Sequence, residues 1–128
     1  WGYMRFVPGQ SKEYTSPVEI PLDGDKVKQI AVGFLHACAL LDDGSVWCFG
    51  NDEWGAWGDG IPSATKEPVR IPSIDGATSL AVNGDHNCVL VASGAVRCWG
   101  SNLAGEVDPN SDKQNLPDAV TVDLSGAL

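Results

Sequence analysis

IAVGFLHACALLDDGSVWCFG, residues 30–50, decides the reading of this chain because it occurs twice. The second copy is LAVNGDHNCVLVASGAVRCWG, residues 80–100, and His86, Cys88, Cys98 and Gly100 each stand 50 residues after His36, Cys38, Cys48 and Gly50. A fixed period of this size marks a repeat architecture, in which each unit buries its apolar faces against its neighbours. Each copy reads as a β-hairpin. Residues 36–41 and 45–50 flank Asp42-Asp43-Gly44, a three-residue turn with glycine where the backbone needs a positive φ. With residue 43 at the centre, Cys38 stands opposite Cys48; the turn Ala92-Ser93-Gly94 sets Cys88 opposite Cys98 in the same way. Directly opposed strand residues have Cβ atoms roughly 4.5–5.5 Å apart, near the separation a disulfide needs. Two hairpins thus bring two cysteine pairs into register, and we read two cross-strand disulfides, Cys38–Cys48 and Cys88–Cys98.

Outside the hairpins the repeat continues. Ser16-Pro17-Val18-Glu19-Ile20 recurs as Glu67-Pro68-Val69-Arg70-Ile71 and, more loosely, as Asp118-Ala119-Val120-Thr121-Val122. A short strand opened by proline suits a sheet edge, where a missing N–H costs least. Asp23-Gly24-Asp25 reads as a turn and residues 27–32 as a strand. Gly33 in one copy is Asn83 in the other, which predicts a positive-φ corner at that position. No stretch carries an apolar period of 3.6 residues, so little or no helix is expected. Each unit of roughly 50 residues therefore holds four short strands, the make-up of a β-propeller blade. The fold class is all-β, with residues 1–26 a partial repeat and residues 27–76 and 77–128 two repeats, about two and a half in all.

Composition narrows the function. Hydrophobic residues make up 43% and charged residues 20% of the 128, a globular balance. The net charge of −9 argues against nucleic acid and anionic lipid, which select a basic face. No apolar run approaches the roughly 20 residues of a membrane span, so no membrane insertion is expected. Four cysteines in hairpin register point to an oxidising compartment. Zinc is the competing reading, since His36, Cys38 and Cys48 would share one strand face. Zinc sites draw on C-x₂₋₄-C knuckles and a fourth ligand, however, and neither copy has a knuckle. We expect no metal and no cofactor.

The pattern V-x-x-I-A-x-G-x-x-H-x-C-A-L-x-x-D-G-x-V-x-C-x-G-x-N-x-x-G resembles the regulator of chromosome condensation repeat. Here it is carried by Val27, Ile30, Ala31, Gly33, His36, Cys38, Ala39, Leu40, Asp43, Gly44, Val46, Cys48, Gly50 and Gly55. The resemblance implies seven-bladed propellers, and the paired cysteines look like a subgroup of such repeats found in bacterial and other secreted proteins. With the oxidising compartment, a secreted, periplasmic or cell-surface location is expected. The family's G-Q-L-G loop departs here to Gly55-Ala56-Trp57-Gly58 and Gly105-Glu106-Val107-Asp108. Two repeats and a part cannot close such a ring. The remaining blades, or other copies of the chain, are therefore expected as partners.

The chemistry-bearing residues point away from catalysis. His36 and His86 recur without a nucleophile or acid at the same offset, so each is read as a hydrogen-bonding group that orders a blade corner. Trp1, Trp47 and Trp99, on or beside hairpin strands, read as core. Asp108-Pro109-Asn110-Ser111-Asp112 opens like a calcium loop, but Lys113 stands where glycine is required and Ala119 where a bidentate Glu is required, leaving a polar turn. Trp54 lies in a glycine-rich loop with Glu53, Trp57 and Asp59, and an aromatic there suits contact with a partner. Trp57 replaces a leucine or valine that plugs the gap between blades. The expected function is a non-enzymatic binding or scaffold module that engages a protein through its loops. The family's own precedents offer an enzyme regulator, of nucleotide-exchange or inhibitor type, as the alternative. The loop tryptophans would also suit a carbohydrate or cell-wall ligand.

Overall fold

The computed structural model describes residues 4–7, 10–12, 17, 19, 20, 22, 26–52 and 68–122. Among them there is no helix. β1 (Met4–Val7) and β2 (Gln10–Lys12) form a two-stranded antiparallel sheet. Two four-stranded antiparallel sheets make up the rest. The first runs in the order β3 (Val27–Val32), β4 (His36–Leu41), β5 (Val46–Gly50) and β6 (Val69–Arg70). The second repeats that order as β7 (Ala77–Asn83), β8 (His86–Val91), β9 (Val96–Ser101) and β10 (Asn115–Val122).

The hairpin register is the one the turns dictate. Leu40 faces Val46 and Cys38 faces Cys48; Leu90 faces Val96 and Cys88 faces Cys98. Gly44 sits at φ 82° and Gly94 at 87°. Asp43 locks the first turn, its Oδ1 accepting from the Ser45 amide at 2.8 Å and the Ser45 hydroxyl at 2.6 Å. Gly44 answers a second demand. A Cβ there would lie 2.8 Å from the Gly76 Cα, and its carbonyl accepts from the Ala77 amide at 3.0 Å where the second sheet begins. Disulfides close both hairpins, with Cα atoms 4.1 Å apart in each.

The strand that follows each long connection varies. Pro68 precedes the two-residue β6, while Pro117 sits inside the edge strand β10, where the register slips between Leu116 and Val120 and the lost N–H breaks no ladder bond. Pro17, Glu19 and Ile20 are not in a strand; Ser16, Val18 and the 23–25 turn lie outside the described residues.

The positive-φ corner expected at Gly33 and Asn83 is not there. No non-glycine residue among those described has positive φ, and the left-handed residue is Gly84, at 54°. Gly33 is required by space instead: a Cβ on it would overlap the Gly84 carbonyl oxygen and the His36 imidazole. The two copies turn differently because the first must leave room for the second.

The sheets pack face to face around Cys38, Leu40, Val46, Cys48, Leu80, Val89, Trp99, Ile71 and Ile74. β4 is buried on both sides, which its alternation of Cys38 and Leu40 with the small Ala37 and Ala39 permits. Arg97 straps the periphery, its guanidinium donating to the Ser73 carbonyl and, at 2.8 Å, to the Ala119 carbonyl. Its counterpart 50 residues earlier is Trp47, which is only partly buried, whereas Trp99 is fully enclosed.

Candidate interaction surface

The functional reading of the histidines changes with the packing. His36 is buried, and its Nε2 lies 2.8 Å from Asn87 Oδ1 on the neighbouring sheet. The amide oxygen can only accept, so Nε2 carries the proton and Nδ1, which has no partner among the described residues, is bare. The bond joins two sheets rather than ordering a corner within one. Burial holds the His36 pKa below its ordinary 6.5, with the Asn87 hydrogen bond opposing the shift. The Cys38 sulfur lies 3.7 Å from the same oxygen, but a disulfide sulfur has no proton to give. His86, the equivalent residue of the second sheet, is half-buried and makes no hydrogen bond among the described residues. Among the described residues neither histidine hydrogen-bonds a hydroxyl or a thiol. Among the described residues no three of His, Cys, Asp and Glu gather as metal ligands.

A second junction contact comes from Gln29. Its carboxamide donates to the Leu80 carbonyl at 2.5 Å and accepts from the Leu80 amide at 3.0 Å. Leu80 lies on the edge strand β7, and Gln29 occupies the backbone groups that a further strand would otherwise find.

The turns at one end of the two sheets are knitted by backbone bonds. The Phe34 amide donates to the Gly84 carbonyl at 2.9 Å, the Asn51 amide to the Leu35 carbonyl at 2.8 Å, and the Ser101 amide to the Asp85 carbonyl at 2.8 Å. Phe34 is nonetheless 79% exposed, its chain neighbour Leu35 is exposed too, and Leu103 is exposed in the loop that leaves β9 at the same end. The 102–113 loop of this rim is built on Asn102. Its Oδ1 accepts from the Val107 and Asp108 amides at 3.0 and 2.9 Å, and its Nδ2 donates to the Asp108 and Lys113 carbonyls at 3.1 and 2.9 Å. The run that opens like a calcium loop is therefore a turn, with Asp108 Oδ1 taken by the Asn110 amide at 2.9 Å. Glu106 Oε2 accepts from the Ala104 amide at 2.8 Å, and backbone amides, first its own, hold its carboxyl below the ordinary range. The Ser45 hydroxyl and then the Ser45 amide do the same for Asp43.

Glu53, Trp54, Trp57 and Asp59 lie outside the described residues, as does Trp1. The chain leaves β5 toward them at the rim that carries Phe34 and Leu35. Sequence reasoning passed over those two. Their signal was a departure between copies, because Phe34-Leu35 stands where the second copy has Gly84-Asp85.

A family profile described as "Regulator of chromosome condensation (RCC1) repeat" matches residues 27–53 and 77–106. The human E3 ubiquitin-protein ligase HERC2 is 29% identical over 93 residues, which cover 68% of this chain and 2% of that protein. Human WBSCR16 superposes with a TM-score of 0.82 at 22% identity, covering 95% of this chain and 32% of that one. Yeast RCC1 (Prp20), solved bound to Kap60, gives 0.76 at 19% identity, covering 90% of this chain and 27% of that one. The chain thus spans a small part of each of these proteins.

Proposed function

The chain belongs to the regulator of chromosome condensation repeat family, and on that premise we propose that it is a non-enzymatic, protein-binding segment of a β-propeller. Its partner is engaged through the rim turns. The observation that carries this reading is the exposure of Phe34, Leu35 and Leu103 on a rim whose backbone is fixed by hydrogen bonds. Exposed apolar side chains rimmed by polar residues mark interaction sites, and an aromatic such as Phe34 is the kind of anchor that carries binding energy there, with the leucines excluding water around it. Trp54, with Glu53, Trp57 and Asp59, belongs to the same binding surface in this proposal, since the chain runs toward them from that rim. The two disulfides support an oxidising setting, secreted, periplasmic or at the cell surface. The proposal extends the partners to further blades of the propeller.

Affinity capture on the immobilised chain, compared across variants, tests the proposal. Phe34→Ser and Trp54→Ala should each release the same captured protein while the melting temperature stays nearly constant. Ser93→Ala, in the turn at the opposite end, should retain it. Capture that survives both rim substitutions, or that is lost with Ser93→Ala instead, overturns the assignment of the surface. Retention of a polysaccharide in place of a protein overturns the assignment of the ligand.

A further inference from the structure

The two sheets pack along one line, and their turns lie to the side of it, at the ends of the strands. A further sheet set against an outer face would extend that line and leave the strand ends as they are. Phe34 sits where the turns of the two sheets meet. A Cβ on Gly84 would lie 3.7 Å from its Cε2 and 3.9 Å from its Cδ2, so the ring leans over the turn of the second sheet. Asp85 follows Gly84 directly. Asp85 and His86 are near enough to act on the charge of His36, and His86 on that of Glu106. The exposed ring therefore stands among carboxylates drawn from two loops of the rim.

The two ends of the strands differ in charge. At the rim Asp85, Glu106, Asp108 and Asp112 all reach water, and Lys113 is the one lysine or arginine among the described rim residues. At the opposite end acids and bases are matched. The Asp42 amide donates to the Lys26 carbonyl at 2.9 Å, which sets Lys26 beside the Asp42-Asp43 turn, and Asp75 pairs with Arg70 at 2.6 Å. The apolar anchors thus stand at the end with the unmatched negative charge. An aromatic face among carboxylates attracts a cation through the ring quadrupole and through Coulomb attraction together. Unmatched charge around an anchor also steers a partner of opposite sign and repels one of the same sign. We propose that the rim around Phe34 receives a basic segment of a protein partner, an arginine or lysine lying over the ring with Asp85 and Glu106 as counter-charges. This rests on the rim being the binding surface and adds the sign of the partner's charge.

Fluorescence anisotropy tests it with labelled synthetic peptides in which leucine alternates with arginine, serine or glutamate; circular dichroism melts check that each variant folds. The arginine peptide should bind the wild-type chain more tightly than the serine peptide, and the glutamate peptide least. Added sodium chloride should weaken the arginine peptide. Asp85→Asn/Glu106→Gln should weaken it at least about threefold, as two exposed ion pairs supply, and leave the serine peptide unchanged. Asp42→Asn/Asp75→Asn removes the same charge at the opposite end and should change neither. Phe34→Ser should weaken the arginine and serine peptides alike, by at least about fivefold. Failure of the arginine peptide to bind, or an equal loss in both double variants, overturns the proposal. If Phe34→Ser weakens binding but the serine peptide binds as tightly as the arginine peptide, the rim stands as the binding surface and the basic partner falls. If Phe34→Ser has no effect, the rim falls and the basic partner with it.

Discussion

Removing Asn87 isolates the energetics of the sheet junction. In Asn87→Ala the His36 Nε2 proton, now satisfied at 2.8 Å, is left without its acceptor in a buried site. An unsatisfied buried donor costs about 1–3 kcal/mol. Asn87 is itself fully enclosed, so the truncation also opens a cavity, adding on the order of 1 kcal/mol at about 24 cal/mol per Å³. The expected loss is about 2–4 kcal/mol, a fall in melting temperature of roughly 3–5 °C for each kcal/mol in a chain of this size. His36→Ala should cost a similar amount. The double variant should recover about 1–2 kcal/mol of coupling, because the second truncation has no bond left to break. Urea unfolding at pH 7.5, followed by tryptophan fluorescence, measures all three; the buried Trp99 beside the junction is the reporter. Additive losses, with coupling near zero, would refute the argument. They would show that each side chain fills space independently and that the hydrogen bond contributes nothing to joining the sheets.

Two further outcomes follow from the same geometry. Since the folded state holds His36 below its ordinary 6.5, the unfolded chain takes up that proton first as the pH falls; stability is full above about pH 6.5 and declines toward the depressed folded pKa, by at most ~1.4 kcal/mol per pH unit. Urea midpoints at pH 7.5, 6.5 and 5.5 check this, with His36→Ala as the variant that loses this part of the dependence; a wild-type midpoint that rises on acidification contradicts it. The disulfides should differ in reactivity, because Cys38 and Cys48 are sealed in the junction while Cys88 is only half-buried. Graded reductant with alkylation and peptide mapping should open Cys88–Cys98 first, each opening costing roughly 2–3 kcal/mol for a loop of about ten residues; simultaneous opening would mean that the junction does not shield the first pair.

What the sequence determined by itself is what depends on short spacing. Three-residue turns ending in Gly44 and Gly94 set the hairpin register, and register alone brings Cys38 to Cys48 and Cys88 to Cys98. The 50-residue period announced two equivalent units, and each is a four-stranded meander. The function of His36 was not legible, because its partner Asn87 has no equivalent in the repeat: Ala37 fills that position in the first copy, and a search at the repeat offset passes over it. Gly33 was read as a φ requirement when the constraint is steric and comes from Gly84 of the other sheet. The rim residues Phe34 and Leu35 were missed because a local pattern cannot tell an apolar side chain that a neighbour will cover from one left in water. Only tertiary structure decides that. A repeat specifies the same hairpin twice, whereas the surroundings of each copy depend on what packs against it, and here Ile30 is exposed while Leu80 is buried.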